Sequence, residues 1–284
     1  MQTSRRLISR GRITALIGLP LLALAMSGCA PYPTWPIKPA SPVAARLDQV
    51  WEIVTYVAIG IIVIVGGLML AAILRFGRGG EIGDDEPAQI HGNTRLEIAW
   101  TLIPTVIVLV LLGVAVRVLQ ENQVPSVLPA NTLQLQIQGY QWGWSYKFPQ
   151  MASLTVGSDG KAGQTEPLHL PDLHLPTGRI VVVQVTARDV IHDWWVPALD
   201  GHLDAYPGSI VKSYYNVSKP GTFYEECSKF CGRLHWQMHN NIVFQPPAEF
   251  ARWAVANGAK PSQVAALLGV SVRQLAASTT HVHV

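Results

Sequence analysis

Charge is what this chain has least of. Only 14% of its 284 residues are Asp, Glu, Lys or Arg, while 49% are apolar. Soluble domains commonly carry about a quarter charged residues, so the shortfall points to a membrane-associated chain. The net charge of +3 forms no basic stripe. Arg5, Arg6, Arg10 and Arg12 stand together at the start, and from Glu121 onward eleven acidic residues balance eleven basic ones. Without a basic face interleaved with aromatics, the composition argues against nucleic-acid binding. Cysteine is scarce as well. Cys29, Cys227 and Cys231 make an odd count, which argues against a pure disulfide framework. No Cys-x-x-Cys-His occurs, so no c-type haem is fused to the chain.

Long apolar runs are abundant. The basic start is followed by an apolar stretch from Ile13 to Met26 and then by Ser27-Gly28-Cys29, the layout of a secretory signal. Small residues before a cysteine resemble a bacterial lipoprotein cleavage site, with Cys29 as the lipidated first residue of the mature chain. An uncleaved anchor helix is the plainer alternative. Ile53 to Leu74 is almost wholly apolar and about 33 Å long as a helix, enough to cross a hydrocarbon core. Ile98 to Val116 is a second such run, with Pro104 in its first turns. If Cys29 is exported, the first span enters and the second returns, and everything after Glu121 lies outside.

From Asn131 the pattern changes to short runs of period two, read as strands at Leu133–Ile137, Ile180–Val185, Val211–Val217, Thr222–Tyr224 and Asn241–Gln245. Turn residues separate them at Pro176-Thr177-Gly178, Pro207-Gly208 and Pro220-Gly221. This spacing predicts a β-sandwich. Ser153 to Gln164 reads as a loop, and helices are expected over Glu249–Ala256 and Ser262–Ala276. Five segments follow: a signal peptide (1–28), an exported segment (29–50), a hairpin of spans (51–120), a sandwich (125–250) and a helical tail (251–284).

The chemistry is concentrated in one loop. Cys227 and Cys231 are followed by His235 and then Met238. Thiolate, imidazole and thioether together suit copper, and a second thiolate allows two bridging sulfurs and two ions. A second imidazole must come from elsewhere. His192, expected in a loop after a strand, is the best candidate, and His239 competes by proximity. On the cysteine pair alone, a disulfide would be the ordinary reading of an exported domain. Zinc is disfavoured by the thioether and by the spacing.

These residues resemble subunit II of the haem–copper terminal oxidases with its CuA centre. The resemblance runs from about Trp51 to Trp253. It is carried by Glu97-Ile98-Ala99-Trp100-Thr101-Leu102-Ile103-Pro104, Gly139 to Tyr146, Leu173 to Gly178, His192 to Pro197, Asp204 to Gly208 and the Cys227–Met238 loop. It implies a two-helix transmembrane hairpin followed by an all-β cupredoxin-like sandwich with a short helical C-terminal tail. By resemblance, Cys227 and Cys231 bridge two coppers, His192 and His235 are terminal ligands, and Met238 and the main-chain carbonyl of Lys229 are weak ligands. Trp142 takes the place where electrons arrive, and Glu97 the mouth of a proton path; Trp144 is expected in the core. The family commonly has Glu where Lys229 stands, and that Glu helps bind magnesium, so no magnesium site is expected here. Gly143 and Ser209 also depart from the family's usual Tyr and Arg.

The implied function is electron relay in a bacterial cytoplasmic membrane, with the copper domain on the periplasmic face. Electrons would pass from cytochrome c, or a similar donor, through CuA to haem in oxidase subunit I, where oxygen is reduced. A copper-free quinol oxidase subunit, a CuA-bearing subunit of a nitric oxide reductase and a copper-carrier lipoprotein are the alternatives.

Overall fold

The computed structural model describes residues 38–77, 89, 92–151, 154–157, 171–199 and 201–271. The signal-type segment with Cys29, most of the loop between the apolar runs, much of the Ser153–Gln164 stretch and the chain after 271 lie outside those residues.

Two long helices come first. In α1 (Pro42–Phe76), the Ser41 side chain accepts from the Ala44 amide at 3.0 Å and Pro42 opens the first turn, where a missing N–H costs nothing. The helix therefore begins within the segment expected to precede the hairpin. In α2 (Thr94–Glu121), the Asn93 side chain accepts from the Leu96 amide at 3.2 Å. The Glu97 carboxylate accepts in return from the Asn93 amide at 3.1 Å, a reciprocal cap at the positive end of the helix dipole. At 1.5 Å per residue the helices are about 52 Å and 42 Å long, more than a bilayer core requires. Their apolar stretches are left uncovered by the rest of the chain.

Among the described residues, ten strands build the sandwich. One sheet runs β3 (Thr155–Val156), β2 (Gly143–Lys147), β1 (Leu133–Tyr140), β5 (Ile180–Ala187), β8 (Val211–Asn216). The other runs β4 (Leu173–Pro176), β10 (His239–Gln245), β9 (Gly221–Cys227), β6 (His192–Trp195), β7 (Leu203–Ala205). Parallel pairing of β1 with β5 and of β4 with β10 joins otherwise antiparallel neighbours. The alternation read in the sequence is the burial pattern of β1: Leu133, Leu135 and Ile137 are fully buried. Between the sheets, Trp144 packs edge-on against Trp194 with centroids 5.1 Å apart, and the Trp194 indole donates to the Tyr215 hydroxyl at 2.7 Å. Trp144 is thus a core residue, as expected.

Three differences from the sequence reading have physical causes. His192 opens strand β6 instead of sitting in a loop. β6 is buried on both faces through His192, Asp193 and Trp194, so no period of two marked it. Thr155-Val156 pairs with Tyr146 and Lys147, so a short edge strand stands where a loop was expected. The last helix stops early. After α3 (Pro247–Ala256), α4 (Pro261–Leu268) ends where Gly269 adopts φ +68° and its amide returns to the Ala265 carbonyl at 2.9 Å.

The hairpin and the sandwich meet at α1. Arg46 donates to Tyr214 of β8 at 3.1 Å, to the Asn122 side chain at 2.5 Å and to the Glu121 carbonyl at 3.3 Å. Beside it Val43, Val182 and Tyr214 form a small apolar cluster, packed by Leu47, Val124 and Leu128. The helices α3 and α4 close the core with Phe250, Ala251, Ala254 and Val264.

Two stability predictions follow from this packing. Arg179 donates to the carbonyls of Asn131 at 3.3 Å, Leu267 at 3.0 Å and Leu268 at 3.3 Å, capping the negative end of α4. Arg179→Ala should lower the stability of the full chain by about 1–3 kcal/mol in urea unfolding. Glu225 on β9 is fully buried, and burial first, then the negative charge of Cys227, pushes its carboxyl well above the usual range. A group raised in the folded state contributes stability below its unfolded value and loses it as pH rises. In copper-free protein, Glu225→Gln should therefore flatten the fall in stability between about pH 4 and 7. A pH slope identical to that of the parent would refute this.

Candidate metal centre

The loop leaving β9 at Cys227 returns to β10 after Met238, and a hydrogen bond from the Cys227 amide to the Met238 carbonyl closes it at 2.9 Å. Within it a short 3₁₀ turn, His235–Gln237, swings the imidazole of His235 back toward the cysteines. Gly232 supports the fold of the loop with φ +120°. A side chain there would also press on Gln141 and Trp142.

Cys227 and Cys231 are buried free thiols with Sγ atoms 3.8 Å apart. Each sulfur has one imidazole and one weak donor beside it. Next to Cys227 Sγ lie His192 Nδ1 at 3.9 Å and the Lys229 carbonyl at 3.3 Å. Next to Cys231 Sγ lie His235 Nδ1 at 3.6 Å and Met238 Sδ at 3.8 Å. The ligand atoms of His192, Cys227 and Cys231 lie within 4.8 Å of one another. All six expected ligand residues thus come together around two sulfurs. His239, the competing imidazole, is exposed on β10 and packs toward Tyr224.

The electrostatics favour a bound cation. The Cys227 thiol is pulled down to about 4, chiefly by the hydrogen bond from Cys231 and further by His192 and nearby backbone groups. Cys231 is pushed up in turn by that hydrogen bond and by burial. The pair shares one proton, so a thiolate is already in place at neutral pH. The His192 ring is oriented from behind, with Nε2 on the Asp189 carboxylate at 3.0 Å, leaving Nδ1 toward the sulfur. Partial burial pushes the Asp189 carboxyl up, but it ends below its usual value. Contact with His192 and the amides of Gln141 at 2.8 Å and Val190 at 2.7 Å outweigh the burial. Such an outer carboxylate fixes the tautomer of a metal-binding histidine. The donor set of thiolates, imidazoles, thioether and carbonyl fits copper.

Trp142 is half-buried at the turn between β1 and β2. Its indole N–H donates to the Cys231 carbonyl at 3.2 Å, and the Gln141 side chain donates to the same oxygen at 2.7 Å. Glu97 is not part of this assembly. It caps α2 at the end opposite the sandwich. Asp189 and Gln141 were not picked out from the sequence. Asp189 left a faint signal, an acid three residues before a histidine at the start of a strand, whereas Gln141 left none. The Lys229 ammonium is bound by the Asp204 carboxylate and lies 3.4 Å from the Tyr206 hydroxyl.

Family comparison places this arrangement. Residues 133–245 match the model of the periplasmic domain of cytochrome c oxidase subunit II, and residues 37–118 match the model of its transmembrane domain. A cytochrome c oxidase subunit 2 of Cereibacter sphaeroides is 30% identical over 75% of this chain and 77% of its own length. A probable cytochrome c oxidase subunit 2 of Rickettsia bellii is 29% identical over 86% of this chain and 92% of its own. Among solved structures, the periplasmic domain of the Bradyrhizobium japonicum oxidase subunit II is 32% identical, with a TM-score of 0.38, covering 44% of this chain and 92% of that domain. The chain belongs to the cytochrome c oxidase subunit II family.

Proposed function

We propose that this membrane subunit relays electrons from cytochrome c, or a carrier like it, to haem in oxidase subunit I through a binuclear CuA centre on the periplasmic side. The observation that carries this reading is the even division of donors between two sulfurs. One imidazole and one weak donor beside each of two neighbouring thiols would suit a pair of ions better than a single one. When bound, the copper pair supplies a one-electron couple. Everything else is done by the chain.

The buried sulfurs exclude water, and the loop is held at both of its cysteines by hydrogen bonds. A rigid donor shell limits rearrangement when charge changes. Trp142 offers an aromatic ring whose N–H reaches the carbonyl of a cysteine ligand, a short connection from the surface to the site. Phe230 and Trp236 on the ligand loop are 82% and 72% exposed. Exposed aromatics of this kind mark a surface that a partner covers. The proton-path role suggested for Glu97 rests on the resemblance, and lipidation of Cys29 on its flanking residues.

Equimolar Cu(I) and Cu(II) added to the copper-free full chain in detergent should give a coloured species whose electron resonance is spread over two copper nuclei. Cys227→Ser should abolish it. Met238→Leu should retain copper but shift the reduction potential. Signals of isolated single coppers in the unsubstituted chain would refute the binuclear reading. Uptake at neutral pH should release about one proton per site, because one thiol is already ionised. Release of two, measured in weak buffer, would contradict the shared-proton pair.

A further inference from the structure

The side chain and the main chain of Lys229 face different neighbours. Its carbonyl oxygen lies 3.3 Å from Cys227 Sγ, while its ammonium reaches across to β7. There it meets the Asp204 carboxylate and, at 3.4 Å, the Tyr206 hydroxyl, which itself donates to the other Asp204 oxygen at 2.9 Å. The ammonium also stands 5.4 Å from the centre of the Tyr206 ring. The pair is only partly covered, with side-chain exposures of 39% for Lys229 and 33% for Asp204. An ion pair this exposed contributes little to global stability. Its geometric effect is larger, because it ties the middle of the ligand loop to a strand of the sandwich. The loop is tied elsewhere too: the Ser228 amide donates to the Asp193 carbonyl at 3.2 Å, and the Ser228 hydroxyl lies 2.8 Å from His202. The Cys231 end is tied separately, by Gln141 and Trp142.

Resting on the copper reading above, we infer that Lys229 is a positioning residue whose ammonium, clamped by Asp204 and Tyr206, sets how closely its own carbonyl approaches the copper site. The clamp acts on the weak carbonyl donor and leaves the thiolates and imidazoles in place. Loosening it changes the electronic character of the centre without emptying it.

The test uses the copper-loaded full chain in detergent, with Lys229→Gln, Asp204→Asn and the exchange Lys229→Asp/Asp204→Lys. Copper content, visible bands, electron-resonance hyperfine splitting and reduction midpoint are read for each. Lys229→Gln removes a positive charge and Asp204→Asn a negative one. A charge acting through space must move the midpoint oppositely in the two variants. A clamp makes both move the bands and hyperfine splitting the same way, with the equilibrium constant of reduction changed on the order of threefold to tenfold. The exchange and Lys229→Arg should then return toward the parent. Should Asp204→Asn fail to fold, Tyr206→Phe loosens the same cluster and should shift the spectrum in the Lys229→Gln direction. Opposite midpoint shifts with unchanged spectra would overturn the clamp, as would variants indistinguishable from the parent. If the unsubstituted chain takes up no copper, the CuA reading has failed first, and the clamp falls with it.

Discussion

The hydrogen bond between the Cys227 amide and the Met238 carbonyl closes the ligand loop at its base. It forces the end of β9 and the start of β10 together, so the residues between them have nowhere to go but over the end of the sandwich. Three of the expected donor groups on that arch, from Lys229, His235 and Met238, then converge on the two cysteine sulfurs. His192 joins them because β6 pairs with β9, opposing Trp194 to Cys227. The sandwich thus acts as a jig. Its core of Trp144, Trp194 and Tyr146 fixes the strands, and the strands fix the donors.

The electrostatics of the loop follow from that closure. Two thiols held 3.8 Å apart cannot both ionise without a cation between or beside them, and one proton is shared. The outer groups are then arranged to hold the donors still. Asp189 stands behind His192, while Gln141 and Trp142 hold the carbonyl of Cys231. Glu225 is buried nearby, and that burial, then the charge of Cys227, pushes its carboxyl well above the usual range.

Much of this was legible because the chemistry lies in one short stretch. Residue type and spacing in Cys227–Met238 picked out four candidate donors, the resemblance added the Lys229 carbonyl, and the repeated long apolar runs pointed to the hairpin. The alternation in Leu133–Ile137 and Ile180–Val185 identified the central strands, because those strands bury one side or nearly all of their side chains. β6 escaped for the opposite reason: its buried residues include a histidine and an aspartate, which look like surface residues in a sequence. The supporting contacts were equally hidden. Asp204 and Lys229 are far apart in the chain, and only the pairing of β6 with β7 brings the carboxylate beside the loop. The end of α4 was misplaced because a left-handed glycine, Gly269, closes the helix at Leu268.

Arg46 deserves a mechanical reading. A single planar cation bonds to the first helix's own neighbour strand through Tyr214 and to the end of the second helix through Glu121 and Asn122. Three supports fix a plane. Together with the Val43, Val182 and Tyr214 cluster, this cation holds the sandwich against the hairpin. With the guanidinium as a three-legged mount, a push on the end of the second helix is passed to strand β8 through one side chain.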